Sequence, residues 1–320
     1  MKEYLIGKND AGQRVDKFIT KAIDIPISLL YKSIRLKKIK VNRKRTEPSS
    51  MLKEGDTVQC FLAEEFFKKK TDETSLDRIT PHLDIVYEDD NIMLLDKRPG
   101  VSVHEDEKGS TNTLITHVIA YLYQKGEYDP AAENAFAPAL CNRIDRNTGG
   151  IVIAAKNAEA LRIMNEKIKL REIDKFYLAA LHGIPEPKED TISAYLLKDE
   201  KTKSVRIFDK NPPREAKRIV TKYKVIATRG SDSLCEVELL TGRTHQIRAH
   251  MAHIGHPLLG DGKYGVNRLD KKGGYKYQAL YSYKLRFSFS GEENALSYLN
   301  GKVFSIPKNT IYFVKDFIGE

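Results

Sequence analysis

Cysteine is scarce in this chain. Three occur in 320 residues, Cys60, Cys141 and Cys235, far apart and without a C-x-x-C pair. That usage argues against a disulfide framework and against a cysteine-based zinc site, and it suits a reducing compartment. No apolar run is long enough to cross a bilayer, and the opening "MKEYLIGKND" lacks the apolar core of a signal peptide. A cytoplasmic location is therefore expected. The phosphate-cradling pattern G-x-x-x-x-G-K-[ST] is absent, and no nucleotide cofactor is expected. Internal repeats and long low-complexity tracts are missing too. What remains is a soluble, globular composition, 41% hydrophobic and 31% charged, in a chain long enough for more than one domain.

Positive charge is present in excess and is unevenly spread. The net charge is +10; residues 1–70 hold 17 Lys/Arg against 9 Asp/Glu, which is +8 of it. The pattern is that of a polyanion-binding module joined to a nearly neutral body. In "RVDKFITKAI", Val15, Phe18, Ile19 and Ala22 have helical spacing. Pro26 then breaks the chain, and Ser28 can cap a second helix over "SLLYKSIR". A short strand around Ile39 and Val41, a turn at Asn42 and a closing strand in "LKEGDTVQCFL" complete the unit. Lys32 to Arg45 contains eight basic residues and no acidic one. The pieces "RVDKFI", "SIRLKKIKVNRKR" and "LKEGDTV" resemble, in order and spacing, the alpha-L RNA-binding domain. The resemblance implies that Arg35, Lys37, Lys38, Lys40 and Arg43 grip RNA phosphates. Such contacts give affinity and position rather than sequence choice. Expected boundaries are 1–66 for this domain, 67–81 for a polar linker, and 82–320 for a second domain.

The second domain reads as α+β. "LDIVYEDDNIMLLDK" is two apolar runs about a hairpin turn, and "GIVIAAK", "DKFYLAALHG", "RIVTKYKVIAT" and "SLCEVELL" are further strands, the last two paired. "TNTLITHVIAYLY", "AEALRIMNEKI" and "THQIRAHMAHIG" carry helical spacing. A mostly antiparallel, mixed sheet flanked by helices is expected.

His245, His250, His253 and His256 invite a metal reading. At about 100° per residue, Ile247, Met251 and Ile254 form one stripe, His250 and His253 lie beside it, and His245 lies nearly opposite. The three do not converge, and H-E-x-x-H is absent, so no metal is expected. A metal-dependent phosphoesterase built on these histidines is the rival reading, which full activity in chelator would end. His245 and Arg248 project on the flank away from the stripe. The preceding "TGRT", with Arg243 and a capping Thr244, makes the helix start a natural anion site.

"NRIDRNTGG" sets Asp145 between Arg143 and Arg146, at a Gly-Gly turn that leads into a buried strand. The guanidinium groups favour the ionised carboxylate, which makes it a poor general acid. It is left as a salt-bridge partner, an electrostatic stabiliser or a nucleophile.

That stretch resembles the signature of the RluA-type RNA pseudouridine synthases, His-Arg-Leu-Asp-Arg-Asp-Thr-Ser-Gly. "VYEDDNIMLLDKRPGVSVH", "DKFYLAALHG" and "ELLTGRTHQIRAHMAHIGHPLLGDGKYG" are similar to three more motifs of that family, in order, from about residue 82 onward. This chain differs at Asn142, where the family has His; at Asn147-Thr148-Gly149-Gly150, for Asp-Thr-Ser-Gly; and at Lys97-Arg98-Pro99-Gly100, for Lys-Pro-x-Gly. The resemblance implies an enzyme that isomerises uridine to pseudouridine in structured RNA without cofactor or metal. It implies Asp145 as nucleophile, Tyr177 stacked on the flipped base, and Arg248 paired with Asp145. Arg143 would hold the RNA backbone, and Ile247 would line the pocket, with Arg243 and His245 beside the substrate. Large-subunit ribosomal RNA is the expected substrate, transfer RNA the second. A non-catalytic RNA-binding or ribosome-assembly factor is the rival of a different kind. A monomer suffices for all of these.

Overall fold

The computed structural model describes residues 1–67, 73–105 and 112–319. Residues 68–72 of the expected linker lie outside the described residues. The first unit runs β1 (Lys2–Leu5), α1 (Val15–Ala22), α2 (Ile27–Arg35), β2 (Ile39–Val41), β3 (Lys44–Arg45) and β4 (Thr57–Cys60). Its strands pair in the order β1-β4-β2-β3, all antiparallel. Val15, Phe18 and Ile19 are buried in its core, as their spacing predicts. Ser28 does not cap α2; Pro26 occupies the N-cap and Ser28 lies inside the helix. Proline suits that place, since the helix start leaves its N–H groups unpartnered anyway. Asn42 and Arg43, with φ of 50° and 63°, form the two-residue loop that joins β2 to β3. That conformation favours asparagine, and Asn42 Oδ1 also accepts from Thr57 N at 2.8 Å.

The larger unit contains β5 (Ile85–Glu88), β6 (Ile92–Lys97), α3 (Leu114–Gln124), β7 (Ala139–Leu140), β8 (Gly149–Ala155) and α4 (Ala158–Leu170). It continues through β9 (Ile173–His182), β10 (Glu189–Asp199), β11 (Ser204–Phe208), β12 (Lys217–Arg229) and β13 (Asp232–Leu239). It ends with α5 (Gln246–His253), α6 (Arg268–Lys272), β14 (Leu280–Phe287), β15 (Val303–Ser305) and α7 (Lys315–Ile318). Among the described residues the strands make one sheet in the order β11-β10-β12-β13-β9-β14-β8-β6-β5, with β15 on β14 and β7 on β8. Every pairing is antiparallel except β14 with β8. The fold is therefore α+β, with a mixed sheet that is mostly antiparallel. In α3, Val118 and Leu122 are buried while Ile115 and Ile119 are only partly covered.

The parallel contact explains the double glycine. Both glycines belong to β8, not to a turn beneath a ligand. Tyr281 and Ser282 of β14 stand opposite Gly149 and Gly150. A Cβ on Gly149 would sit 2.3 Å from the Tyr281 ring, and one on Gly150 would sit 2.1 Å from Ser282 O. Gly150 also has φ +109°, where an L side chain is strained. The close approach of β14 thus demands glycine at both places, and it fixes where the Asp145 loop ends.

The two units touch through short polar contacts. Asn134 Nδ2 donates to Leu5 O and to Asp10 Oδ2, each at 2.8 Å. Asn9 Nδ2 donates to Glu133 Oε1 at 2.6 Å, and its carbonyl oxygen accepts from Ala158 N at the start of α4. Arg162 Nη1 donates to Ala11 O at 2.9 Å.

Gly150→Ala should destabilise the fold by at least about 2 kcal/mol, from positive-φ strain together with the clash on β14. Urea unfolding checks it; an unchanged midpoint would show that β14 yields to the methyl group.

Candidate active site

Asp145 sits in the loop between β7 and β8, at a turn closed by Thr148 N donating to Asp145 O at 3.0 Å. Asn142, the departure from the family's histidine, anchors the loop's other end: its side-chain oxygen accepts from Ile153 N at 2.8 Å. The loop is also held by Lys97 at the end of β6. This ammonium is 1% exposed and donates to three carbonyl oxygens, Arg98 O (3.1 Å), Val101 O (2.9 Å) and Arg146 O (2.9 Å). Gly100 N donates to Arg146 O, and Arg146 Nε donates back to Gly100 O. The Arg-Pro-Gly turn and the Asp145 loop are thereby joined as one piece. Burial pulls the Lys97 ammonium down to about 8, against the opposing pull of Asp145 and Asp96.

Neither flanking arginine pairs with Asp145 among the described residues. Arg146 is committed to Gly100 O, and Arg143 is exposed. The guanidinium that meets the carboxylate comes from α5: Arg248 Nη1 donates to Asp145 Oδ2 at 2.8 Å. The rest of the Arg248 fork is taken by Asp261, with Nε to Oδ2 at 2.6 Å and Nη2 to Oδ1 at 2.9 Å. Asp261 has a fully buried side chain and also accepts from Lys263 N and Tyr264 N. Burial pushes the Asp261 carboxyl up, but Arg248 and these amides outweigh it and hold it below the usual range. Burial likewise weakens the Arg248 charge, and Asp261 and Asp145 more than restore it. The guanidinium is thus fixed on one side by a bidentate pair and presented to Asp145 on the other.

α5 is covered on both faces, not exposed along one flank. Ile247 and Met251 pack with Tyr177 of β9, while Ala249 packs against Ala194, Leu196, Val205 and Ile219. Thr244 does not cap the helix. The N-cap is His245, in a left-handed conformation with φ 54°, and Gln246 Oε1 accepts from Arg243 N and Thr241 Oγ1. His245 Nε2 lies 3.8 Å from Asp145 Oδ2, and its Nδ1 lies 2.8 Å from Tyr264 OH. Burial lowers the His245 imidazole from its ordinary value, against the opposing pull of Asp145. His250 is buried against Thr221 Oγ1 at 3.0 Å, and His253 meets Asp209 at 2.9 Å. Each of these histidines has its own separate partner. Among the described residues no three His, Cys, Asp or Glu side chains group as metal ligands.

Tyr177 stands in β9 between Val237 of β13 and Ser282 of β14. It is 6% exposed, and burial, with the Asp145 charge adding, pushes its phenol up to about 12. It keeps its proton at neutral pH. Ile144, next to Asp145, packs against the same cluster as Tyr177 and Ile247. So the structure brings Asp145, Arg248, His245, Tyr177 and Ile247 into one site. Arg143 and Arg243 are exposed, and Arg35, Lys37, Lys38, Lys40 and Arg43 lie in the first unit.

Asp261, Tyr264 and Lys97 went unrecognised in the sequence, although all three lie inside the quoted motifs. The signal for Asp261 was arithmetic: a buried guanidinium has five donors, and one carboxylate cannot satisfy them. The spacing G-x-G-x-x-G does occur once, from Gly260 to Gly265. It follows a helix and a single bridge residue, Leu258, rather than a strand, and its loop presents Asp261 to Arg248. It lacks the strand–turn–helix setting of a dinucleotide site.

Known proteins resemble this chain along most of its length. Residues 91–253 match the RNA pseudouridylate synthase family. The chain is 31% identical over 300 residues to the ribosomal large subunit pseudouridine synthase C of Vibrio vulnificus, covering 91% of this chain and 90% of that one. It is 34% identical over 294 residues to an uncharacterized RNA pseudouridine synthase of Mycoplasma genitalium, covering 89% and 88%. Among solved structures, human RNA pseudouridylate synthase domain containing 1 superimposes with a TM-score of 0.53 at 24% identity, covering 66% of this chain and 80% of that one. That last likeness bears on the fold alone. The chain belongs to the RNA pseudouridine synthase family and is an enzyme that isomerises uridine to pseudouridine.

Proposed function

We propose that this enzyme modifies uridine in large-subunit ribosomal RNA, with Asp145 as the nucleophile. The observation that carries the mechanism is the Asp261–Arg248–Asp145 chain, which holds and aims one carboxylate in a partly covered site. The substrate reading is supported by the relatives named for the ribosomal large subunit. It is also supported by the basic, exposed edge of the first unit. Among the described residues, Arg35, Lys37, Lys38, Lys40 and Arg43 are free of salt bridges, as phosphate-binding side chains need to be.

The chemistry follows from these groups. The target base leaves its stack at a cost of a few kcal/mol, which protein–RNA contacts offset. Asp145 attacks either the anomeric carbon or the uracil ring carbon beside the glycosidic nitrogen. The C–N glycosidic bond breaks, the base turns over, a C–C bond forms to the same sugar, and the C–O bond to Asp145 breaks so that the carboxylate is regenerated. The proton on the newly bonded ring carbon is then lost and the ring nitrogen gains one, so the product is an isomer. Arg248 supplies fixed positive charge to the carboxylate throughout. Tyr177 and Ile247 offer a flat, apolar wall, and the phenol remains neutral beside the base. Arg143 is exposed next to Asp145 and can hold the strand.

Pseudouridine mapping tests the reading. Purified enzyme is incubated in chelator with unmodified ribosomal and transfer RNA transcripts, followed by carbodiimide labelling and primer extension. Stops are expected in large-subunit ribosomal RNA with the wild type and none with Asp145→Asn, which should still bind RNA. Stops confined to transfer RNA would overturn the substrate; wild-type turnover by Asp145→Asn would overturn the nucleophile.

Asp261→Asn should loosen the Arg248 fork and lower kcat roughly 10–100-fold with KM little changed, since small misplacements are costly at a reacting centre. Single-turnover kinetics on the mapped RNA checks it. For the first unit, combining Lys37→Ala, Lys38→Ala and Lys40→Ala should reduce the slope of log affinity against log salt by roughly 2. An unchanged slope would mean that the larger unit alone holds the RNA.

A further inference from the structure

Next to the Asp145 site lies a second cleft, about 340 Å³ in volume. Arg248 and Asn147 border it, so it opens from the same guanidinium that holds Asp145 and from the same loop. Its remaining rim carries Lys263, Lys271, Lys276 and Tyr277, and among the described residues no carboxylate lines it. The volume is at the small end of the roughly 300–1,000 Å³ usual for ligand clefts. That suits one nucleotide and not a helical stem.

The walls are built to stay open. Gly260 (φ +74°) lets the backbone of Tyr277 pass close, since a Cβ there would lie 2.2 Å from Tyr277 O. α6, which bears Lys271, is pinned by buried Asp270, whose Oδ2 accepts from Gly260 N at 2.8 Å and lies 3.0 Å from His182 Nε2. The Tyr277 ring rests on Gly100, in the turn that Lys97 ties to the Asp145 loop. The cleft and the catalytic loop therefore share a frame.

The three lysines differ in what they are free to do. Lys263 Nζ is occupied by Lys203 O at 2.5 Å. Among the described residues, Lys271 and Lys276 have no carboxylate partner; Lys276 lies over the Tyr277 ring, 5.4 Å from its centre. Two unpaired ammonium groups at the mouth of a narrow cleft attract an anion of the size of one phosphodiester.

We propose that this cleft seats the nucleotide that adjoins the target uridine, with Lys271 and Lys276 on its phosphate. The inference rests on the reading of the Asp145 site as the place of isomerisation. It gives the enzyme a hold on the strand beside the flipped base, separate from the basic edge of the first unit.

The full chain is titrated with pentauridylate by fluorescence anisotropy across a salt series, as wild type, Lys271→Ala/Lys276→Ala and Lys271→Arg/Lys276→Arg. Two lost single-strand phosphate contacts should reduce the salt slope by roughly 1.4 in the alanine pair. The arginine pair, which keeps both charges, should retain the wild-type slope. On the ribosomal transcript the alanine pair should raise KM and leave kcat unchanged. An unchanged slope in the alanine pair, or no binding of pentauridylate by the wild type, overturns the cleft's role. A loss of slope in the arginine pair equal to that in the alanine pair marks a packing defect and overturns it too. Absence of turnover on ribosomal RNA by the wild type would instead count against the substrate reading, while the salt slope still decides the cleft.

Discussion

A single guanidinium shared by two carboxylates organises this molecule's site. Arg248 is buried, and a buried charge is tolerated only when its donors are met. Asp261 meets two of them in a bidentate fork and is itself fully buried. The third goes to Asp145, which retains partial access to solvent. The asymmetry matters: the buried carboxylate is spent on holding the arginine, and the accessible one is left with an oxygen to use. Removing one member of such a buried set typically costs about 3–5 kcal/mol, so the site and local stability are bound together.

Around that group, backbone and packing set the approach of each element. Lys97 gathers three carbonyl oxygens and fixes the Asp145 loop to the turn after β6. The glycine pair lets β14 run against β8, which brings Ser282 beside Tyr177 in the register of β9. α5 is clamped between two apolar clusters, so Arg248 has little freedom along the helix axis. The placement of Asp145 comes from a charge network laid on a sheet, together with the contacts that tie down its loop.

Much of this was legible in the residues. The hairpin of β5 and β6, the buried run of β8 and the helix α5 all followed from periodicity and turn chemistry. The pairing of Arg248 with Asp145 was implied by the motif resemblance alone. Other features were hidden by the limits of local reasoning. The guess that Arg143 and Arg146 accompany Asp145 failed because sequence neighbours in an extended loop point apart, whereas the true partner lies 103 residues on. The glycines looked like a turn because nothing local reveals that another strand passes within van der Waals distance. The cap at His245 was missed since a left-handed histidine is uncommon and is stabilised here by tertiary contacts with Tyr264. Strands β10, β11 and β14 were not singled out, and β14 is central to the sheet.

The polar contacts between the two units, at Asn9, Ala11, Asn134 and Arg162, have a geometric meaning. They are direct hydrogen bonds from side chains to backbone and to other side chains, 2.6 to 3.1 Å long. A module so fastened cannot wander on a tether in search of RNA. An RNA that touches both the basic edge and the Asp145 site must bridge a set span, by its own folding. On the proposed reading the protein would then act as a caliper: it would gauge the distance between two points on a folded RNA, and a matching sequence in the wrong shape would not fit its jaws.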